Sequence, residues 1–201
     1  MKTNMSLLDT DELLHLAIHA SQQNQHEETI RYLKQALELS PDNGKVHYLL
    51  GAEHAEIGLY DRAVEDISQA VKLDPSLITA HFQLGLLHIT SGRAEEAIKA
   101  WKPLDKLDSK NPLYLFKTGM QHLAQDEFDQ CIANLTQGIT LNTMNEALNK
   151  DMQRIIDEIK IHKSQRPLSE KTNAKQSAKL DNTSGGHVLL SAYRNNKDKK
   201  D

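Results

Sequence analysis

Apolar and small residues recur along this chain with a period of 34 positions. Three glycines mark the period, and Ala17 stands at the same position one period earlier. Self-similarity at this spacing is typical of repeat proteins, in which stacked copies of one small unit bury a continuous core. The positions that share the spacing are Gly51, Gly85 and Gly119; Leu39, Leu73, Leu107 and Leu141; and Leu33, Ile67, Trp101 and Leu135.

Each period predicts two helices joined by a turn, as residues 41–74 illustrate. Ser40 is suited to an N-cap and Pro41 to a first helical turn, where the missing N–H costs nothing. Gly58 favours the end of the first helix, because glycine readily adopts the left-handed conformation found there. A second amphipathic helix is predicted from about Asp61 to Leu73.

The residue columns resemble the tetratricopeptide repeat, a family of 34-residue helix-turn-helix units. The resemblance is carried by Leu50-Gly51, Ala63, Ala70 and Pro75 in one period, and by Leu84-Gly85 and Ala97 in the next. Two columns depart from the family pattern, because histidine stands where an aromatic residue is usual. Those histidines are His47 and His81 in one column, and His54, His88 and His122 in the other.

The resemblance implies an all-α fold, an α-solenoid of about four helix-turn-helix units after a lead of residues 1–9. The predicted units are 10–43, 44–77, 78–111 and 112–145. A capping helix is predicted over 146–163, because Thr143 and Glu146 have capping-box spacing and an apolar stripe follows them. That stripe is Leu148, Met152, Ile155, Ile156 and Ile159. Residues 164–201 are polar and basic and predict a disordered tail.

In proteins similar to this one, the first helices of the units line a concave groove that binds peptides or helices. That face of this chain is apolar throughout, and Met and aromatic side chains suit an adaptable binding surface. The predicted groove residues are Leu14, Ile18, Tyr48, Ala52, Ala55, Phe82, Leu86, Ile89, Phe116, Met120 and Leu123. The alternative is that these side chains pack in the core or are covered by the chain's own tail.

Some adaptors of the same family clamp a C-terminal carboxylate of a heat-shock chaperone on this face with lysine, asparagine and arginine. None of the residues at the matching positions supplies the cation or the amide that this clamp requires. They are Leu14, Ile18, Leu49, Thr79 and Gln83. The sequence therefore argues against that role.

The tail contains one apolar segment, His187–Tyr193, which follows Gly185-Gly186 in an otherwise polar stretch. Residues 1–163 contain 16 Lys and Arg against 24 Asp and Glu, and residues 164–201 contain 8 against 4. The acidic body and the basic tail favour docking of this segment onto an apolar groove, in the same chain or in another copy. A short helix or a featureless tail is the alternative.

Composition narrows the class of function. Hydrophobic residues make up 38% of the chain, more than a fully disordered protein would contain. The acidic body argues against nucleic-acid binding, and no apolar run is long enough to insert in a membrane. A single cysteine, Cys131, excludes an internal disulfide, and acids interrupt the region where a signal peptide would lie. A cytoplasmic location is therefore expected.

No pattern predicts an enzyme, a cofactor or a metal. The chain has no phosphate-binding loop, dinucleotide turn or serine nucleophile elbow. His15 and His19 have metal-ligand spacing but no evident third ligand, and Cys131 falls in a column of small packed residues. The sequence thus predicts a protein-interaction module, an adaptor or chaperone that binds an apolar or amphipathic segment. A structural subunit, or a homo-oligomer that uses the same face, is the alternative.

Overall fold

The computed structural model describes residues 8–165 of the chain. Within them the backbone forms helices joined by short turns and contains no strand, which confirms the all-α class. The start of the lead and the tail from residue 166, with its apolar segment, lie outside the described residues. The helices are α1 Thr10–Gln22, α2 His26–Leu39, α3 Gly44–Glu56, α4 Tyr60–Leu73, α5 Ile78–Thr90, α6 Ala94–Trp101, α7 Pro112–Ala124, α8 Phe128–Leu141 and α9 Glu146–Gln165.

The structure divides into two compact units, Met1–Leu87 and His88–Asp201. In the first unit α1 packs on α2, α2 on α3, and α3 on α4. In the second unit α7 packs on α8, and α8 packs on α9. These helices thus pack against their neighbours in sequence, which is how repeat proteins build a core from local contacts.

The core of the first unit is made by α1, α2 and α3. Its buried side chains are Leu13, Leu14, Ala17, Leu33, Ala36, Val46 and Leu50. In the second unit α9 buries Met152, Ile155, Ile156 and Ile159. Burying a large apolar side chain stabilises a fold by about 1.5–3 kcal/mol, so these stripes hold the helices together more strongly than their helix propensities do.

Two helices begin at residues other than those predicted. The residues that cap the first helices of the pairs recur with the 34-residue period. Asn43 caps α3, because its Oδ1 accepts hydrogen bonds from the amides of Lys45 and Val46 at 3.1 and 3.2 Å. Helix α3 thus begins after Pro41, and Ser40 is not its cap. Asn145, not Thr143, caps α9 through a 2.9 Å bond from the Leu148 amide. The capping residues all stand at the same position of the 34-residue period, and they are Asp9, Asn43, Asn111 and Asn145.

The turn within each helix pair contains one residue with a positive φ angle. These residues recur every 34 positions: Asn24 (56°), Gly58 (81°), Gly92 (73°) and Asp126 (58°). In each turn the next amide donates to a carbonyl five residues back, as from Leu59 N to His54 O at 2.8 Å. This Schellman motif satisfies carbonyls that the helix end would leave unpaired.

Replacing Gly92 with alanine is expected to lower the free energy of unfolding by about 1 kcal/mol, the cost of a left-handed conformation for an L-residue. A Cβ at this position would meet nothing within 4 Å, so the effect is that of the backbone alone. Chemical denaturation measures it. Gly92→Asn is the matched control and should cost less, because asparagine tolerates this conformation at Asn24. Equal losses for both variants would contradict the explanation.

The second helix of the third pair is shorter than its counterparts. Helix α6 ends at Trp101, and a 3-10 segment, Lys102–Lys106, replaces the turns that α4 and α8 continue as α-helix. Pro103 is the cause, because proline removes a backbone donor and its ring clashes with the carbonyl four residues back. The segment still buries Leu104, so this position contributes to the core although its backbone is not α-helical.

Candidate functional site

The predicted groove residues that have accessible surface all belong to the first unit. Ile18 on α1 is 38% exposed. Tyr48, Ala52 and Ala55 on α3 are half-buried, and their spacing of four and three positions places them on one face of that helix. These four side chains are called the α1/α3 stripe below.

The other groove candidates are buried, so they contribute to the interior in this structure. They are Leu14, Phe82, Leu86, Ile89, Phe116, Met120 and Leu123. Phe116 shows where such a side chain goes, because a Cβ at Gly138 would clash with its Cε1 atom. Its ring therefore rests on α8 in the place a side chain at 138 would fill. For these seven residues the structure agrees with the alternative interpretation, in which the side chains pack in the core.

Tyr48 is the polar member of the α1/α3 stripe. Burial raises the pKa of its phenol to about 12, further above neutral pH than the ordinary value, and the hydroxyl is therefore a hydrogen-bond donor at neutral pH. The hydroxyl has no hydrogen-bond partner among residues 8–165. A half-buried tyrosine with a free donor at its tip is the type of anchor that protein interfaces favour.

A buried carboxylate next to this stripe joins three helices. Glu53 on α3 is 4% exposed. Its Oε1 lies 2.5 Å from His26 Nδ1 at the start of α2, and its Oε2 accepts a 3.1 Å bond from the Ser21 hydroxyl at the end of α1. Buried carboxylates are stable only when paired in this way. The sequence did not predict this cluster, because its members come from three helices with no shared spacing.

The histidine column makes different contacts in different units. His54 is buried, and its Nδ1 lies 2.7 Å from Asp66 Oδ2 on α4, so the pair links the two helices of one hairpin. His122 pairs with Glu127 at 2.5 Å. The Nδ1 atom of His88 is buried and has no partner within the described part of the chain. The three histidines thus have different partners and different burial, so they do not form a single site.

Stability is expected to fall in mild acid, partly because of His88. Burial, helped by the positive charge of Arg93 and opposed by Glu96, holds the His88 pKa below its ordinary value. The unfolded chain therefore binds the proton at a higher pH than the folded chain does. The contribution of neutral His88 to the stability of the fold is fully present above about pH 6.5, the pKa of the unfolded chain. It is lost as the pH falls through the folded-state pKa.

Melting temperatures between about pH 7.5 and about pH 5.5 test this expectation. His88→Gln should reduce the fall, because the group that takes up the proton is gone. His15→Gln is the matched control, since His15 is exposed on α1. A melting temperature that does not change with pH, or an equal effect of both variants, would exclude a role for His88.

One lysine of the second unit is also buried. Lys117 Nζ lies 2.5 Å from Asp105 Oδ1 of the 3-10 segment and 4.5 Å from the centre of the Tyr114 ring. The ion pair ties the 3-10 segment to α7. Burial raises the pKa of Cys131 to about 12, so its thiol is not a nucleophile at neutral pH and serves packing.

No group of three or more His, Cys, Asp and Glu side chains between residues 8 and 165 could hold a metal ion. None of the helices there combines the length and apolar character required to cross a bilayer.

Acidic charge is concentrated in the first unit. Residues 8–87 contain 13 Asp and Glu against 5 Lys and Arg, a net charge of −8. Residues 88–165 contain 11 against 10, a net charge of −1. The α1/α3 stripe therefore lies in the acidic unit, which favours a basic or neutral partner over an acidic one.

Known proteins share the repeat and the fold. A family model for the tetratricopeptide repeat matches residues 14–78 and 53–112. Among solved structures, MamA 41-end from Desulfovibrio magneticus RS-1 is 14% identical, with a TM-score of 0.54 over 96% of this chain and 97% of that one. YrrB, a TPR protein with an unusual peptide-binding site, is 14% identical, with a TM-score of 0.55 over 96% and 88%.

Another structure of MamA is 18% identical to this chain, with a TM-score of 0.55 over 66% of this chain and 77% of the other. At identities this low, the structural similarity establishes the fold alone. It confirms the predicted α-solenoid class. A search of curated protein sequences gave no match.

Proposed function

Residues 14–112 match the model of the tetratricopeptide-repeat family, and on that premise we propose that this chain is a tetratricopeptide-repeat protein that serves as a non-catalytic protein-interaction module. Its first unit binds an apolar or amphipathic segment of another polypeptide through the α1/α3 stripe. In this role the chain is an adaptor or a chaperone in the cytoplasm. YrrB, which has the same fold, is described as having a peptide-binding site.

The observation that carries the proposal is the accessible surface of the stripe. Ile18, Tyr48, Ala52 and Ala55 offer apolar surface interrupted by one protonated hydroxyl. The two alanines leave room for a foreign side chain, and Tyr48 supplies a hydrogen-bond donor that a peptide carbonyl accepts. Repeat proteins bind their ligands on such surfaces made by successive helices.

The ligand best suited to this surface has apolar side chains on one face and few acidic residues. An amphipathic helix would place side chains at positions i, i+3 and i+7 against the stripe, whereas an extended segment would offer alternate residues. The net charge of the first unit would repel an acidic segment and accelerate association with a basic one.

A charge introduced into the stripe tests the proposal. In cells of the source organism, the tagged full chain and its Ile18→Glu/Ala52→Glu variant are compared by quantitative mass spectrometry of the co-purified proteins. Buried unpaired carboxylates oppose binding, so the variant should retain less than about a tenth of each specific partner. Ala133→Glu, at an exposed position on α8, is the matched control and should retain all of them.

The fold and the oligomeric state are followed in the same samples. Both glutamate variants must keep the melting temperature of the parent within a few degrees. Tyr48→Phe, which changes only the hydroxyl, serves as a milder second variant. Retention of the same partners by Ile18→Glu/Ala52→Glu and by the parent would contradict the proposal. Loss of a homo-oligomer instead of a foreign partner would favour the alternative use of this face, self-association.

A further inference from the structure

Asn43 and Gly44, at the start of α3, form the only asparagine–glycine pair in the chain. Asparagine is among the thermolabile residues, because its side-chain amide is open to attack by the backbone nitrogen of the next residue. A glycine in the next position has no side chain to hinder that attack. This pair is therefore the place in the chain where spontaneous deamidation meets the least steric resistance.

The fold uses both residues of the pair. Asn43 caps α3, and Gly44 is buried where α3 starts beside the end of α4. A Cβ at Gly44 would lie 3.1 Å from the Ala70 carbonyl oxygen and 3.1 Å from the Asp74 Cβ atom. Both separations are tighter than ordinary contacts, so the packing of α3 on α4 favours the glycine that also makes Asn43 reactive.

The asparagines that cap other helices lack this combination. Asn111 precedes Pro112, which has no N–H and so cannot attack in this way. Asn145 precedes Glu146, whose side chain hinders the approach. Among the capping asparagines, the steric argument thus applies to Asn43 alone.

The cap conformation holds the two reacting atoms of the pair apart. The Asn43 ψ angle is 98°, which turns the Gly44 nitrogen to the side of the Cα–C bond opposite the Asn43 side chain. Rotation to the reactive geometry would break the bonds that the Asn43 carbonyl oxygen accepts from Val46 N and His47 N, both at 3.1 Å. Cyclisation of the side chain would also break the bonds from Lys45 N and Val46 N to Oδ1.

We propose that the Asn43-Gly44 pair is a deamidation site that the α3 cap keeps closed and that local unfolding of the start of α3 opens. In the open state the Gly44 nitrogen loses its proton and bonds to Asn43 Cγ, the bond from Cγ to the side-chain nitrogen breaks, and that nitrogen leaves as ammonia. Water then opens the succinimide ring at either carbonyl carbon and returns a proton to the Gly44 nitrogen. The products are aspartate and isoaspartate.

The two products have different consequences for α3. Aspartate restores the cap, since it caps helices as well as asparagine does. Isoaspartate places an additional carbon atom in the main chain, so its oxygens no longer reach the same amides, and the local unfolding becomes permanent. Because α3 carries Tyr48, Ala52 and Ala55, this product would also disable the α1/α3 stripe, a consequence that alone rests on the proposed function.

Peptide mapping by mass spectrometry tests the proposal on the full chain, aged at slightly alkaline pH in buffer and in concentrated urea. Isoaspartate at position 43 should form about tenfold or more slowly in the folded chain than in urea, because only the open fraction reacts. Asn145 in the same samples is the internal control. In urea it should react about tenfold or more slowly than Asn43, because its neighbour is not glycine.

Matched variants show whether the fold controls the rate. Ile67 is fully buried on α4 against Gly51, so Ile67→Ala weakens the hold on α3 and should raise the rate in buffer about threefold or more. If this variant unfolds, its rate in buffer should equal its rate in urea. Ile98→Ala, at a position that is 57% exposed, should leave the rate unchanged. Asn43→Ser keeps a capping side chain without the amide, and its melting temperature should not fall on ageing.

Three results would overturn the proposal. Absence of isoaspartate at position 43 in urea would show that the pair is not reactive. Equal rates in buffer and in urea, or an Ile67→Ala rate equal to that of the parent, would show that the cap does not control the reaction. All of these readouts are made without a partner, so such a failure leaves the proposed function to its own test.

Discussion

Phe116→Ala is expected to lower the free energy of unfolding by about 3–5 kcal/mol, the usual loss when a fully buried phenylalanine is truncated. The Phe116 ring is fully buried and lies against α8 at Gly138. Removing it leaves a cavity that a rigid helix pair closes only in part. Urea denaturation measures the loss, and Ile98→Ala is the matched control. Ile98 is 57% exposed on α6, so its truncation should change stability by less than about 0.5 kcal/mol.

A double substitution identifies the cause of the loss. Gly138→Ala in the parent places a Cβ in steric conflict with the Phe116 ring and is itself destabilising. In Phe116→Ala the same methyl group enters the new cavity. The two changes together should therefore cost at least about 1 kcal/mol less than the sum of the separate costs. Additive effects would show that the ring does not occupy the space beside Gly138.

Gly51→Ala is the second large expected effect, and two opposing terms decide its sign. Alanine in a helix is intrinsically better than glycine by about 1 kcal/mol. Against this, a Cβ at Gly51 would lie 2.5 Å from Ile67 Cγ1 and 3.1 Å from the Ala63 carbonyl oxygen. Ile67 is fully buried and the carbonyl belongs to α4, so neither yields easily. Overpacking wins, and a net loss of about 1–3 kcal/mol is expected.

Thermal and urea unfolding measure this loss, and Gly51→Ala/Ile67→Ala tests its origin. With the Ile67 side chain removed, the nearest obstacle to the new methyl group is gone. The glycine substitution should then be nearly neutral or stabilising. If it costs as much in the Ile67→Ala background as in the parent, close approach of α3 and α4 at this point is not the reason for the glycine.

The helix pairs could be predicted from the sequence because their signals repeat and are local. Gly58 and Gly92 end helices where the 34-residue period indicated. The helix starts were harder. Asn43 caps α3, but the pair Ser40-Pro41 suggested an earlier start, and only the hydrogen bonds from Lys45 and Val46 decide between them. The left-handed Asn24 gave no signal as clear as a glycine.

The accessible part of the candidate site could not be predicted from periodicity. Tyr48 and Phe116 occupy the same position in their units, yet the first is half-buried and the second is fully buried. The periodicity of a helix shows which side chains share a face. It does not show whether that face packs against another helix or remains accessible. For Phe116 the deciding residue is Gly138, which is distant in sequence. Glu53 escaped prediction for the same reason, because its partners lie on other helices.

Photo-crosslinking at Ile18 tests most directly whether the first unit presents its stripe to another polypeptide. A photoreactive amino acid is placed at position 18 of the full chain in its native cells, and another at Lys160, which is exposed on α9. The account predicts a covalent adduct with a different protein from position 18 and none from position 160. The absence of an adduct at position 18, or the same adducts from both positions, would contradict it.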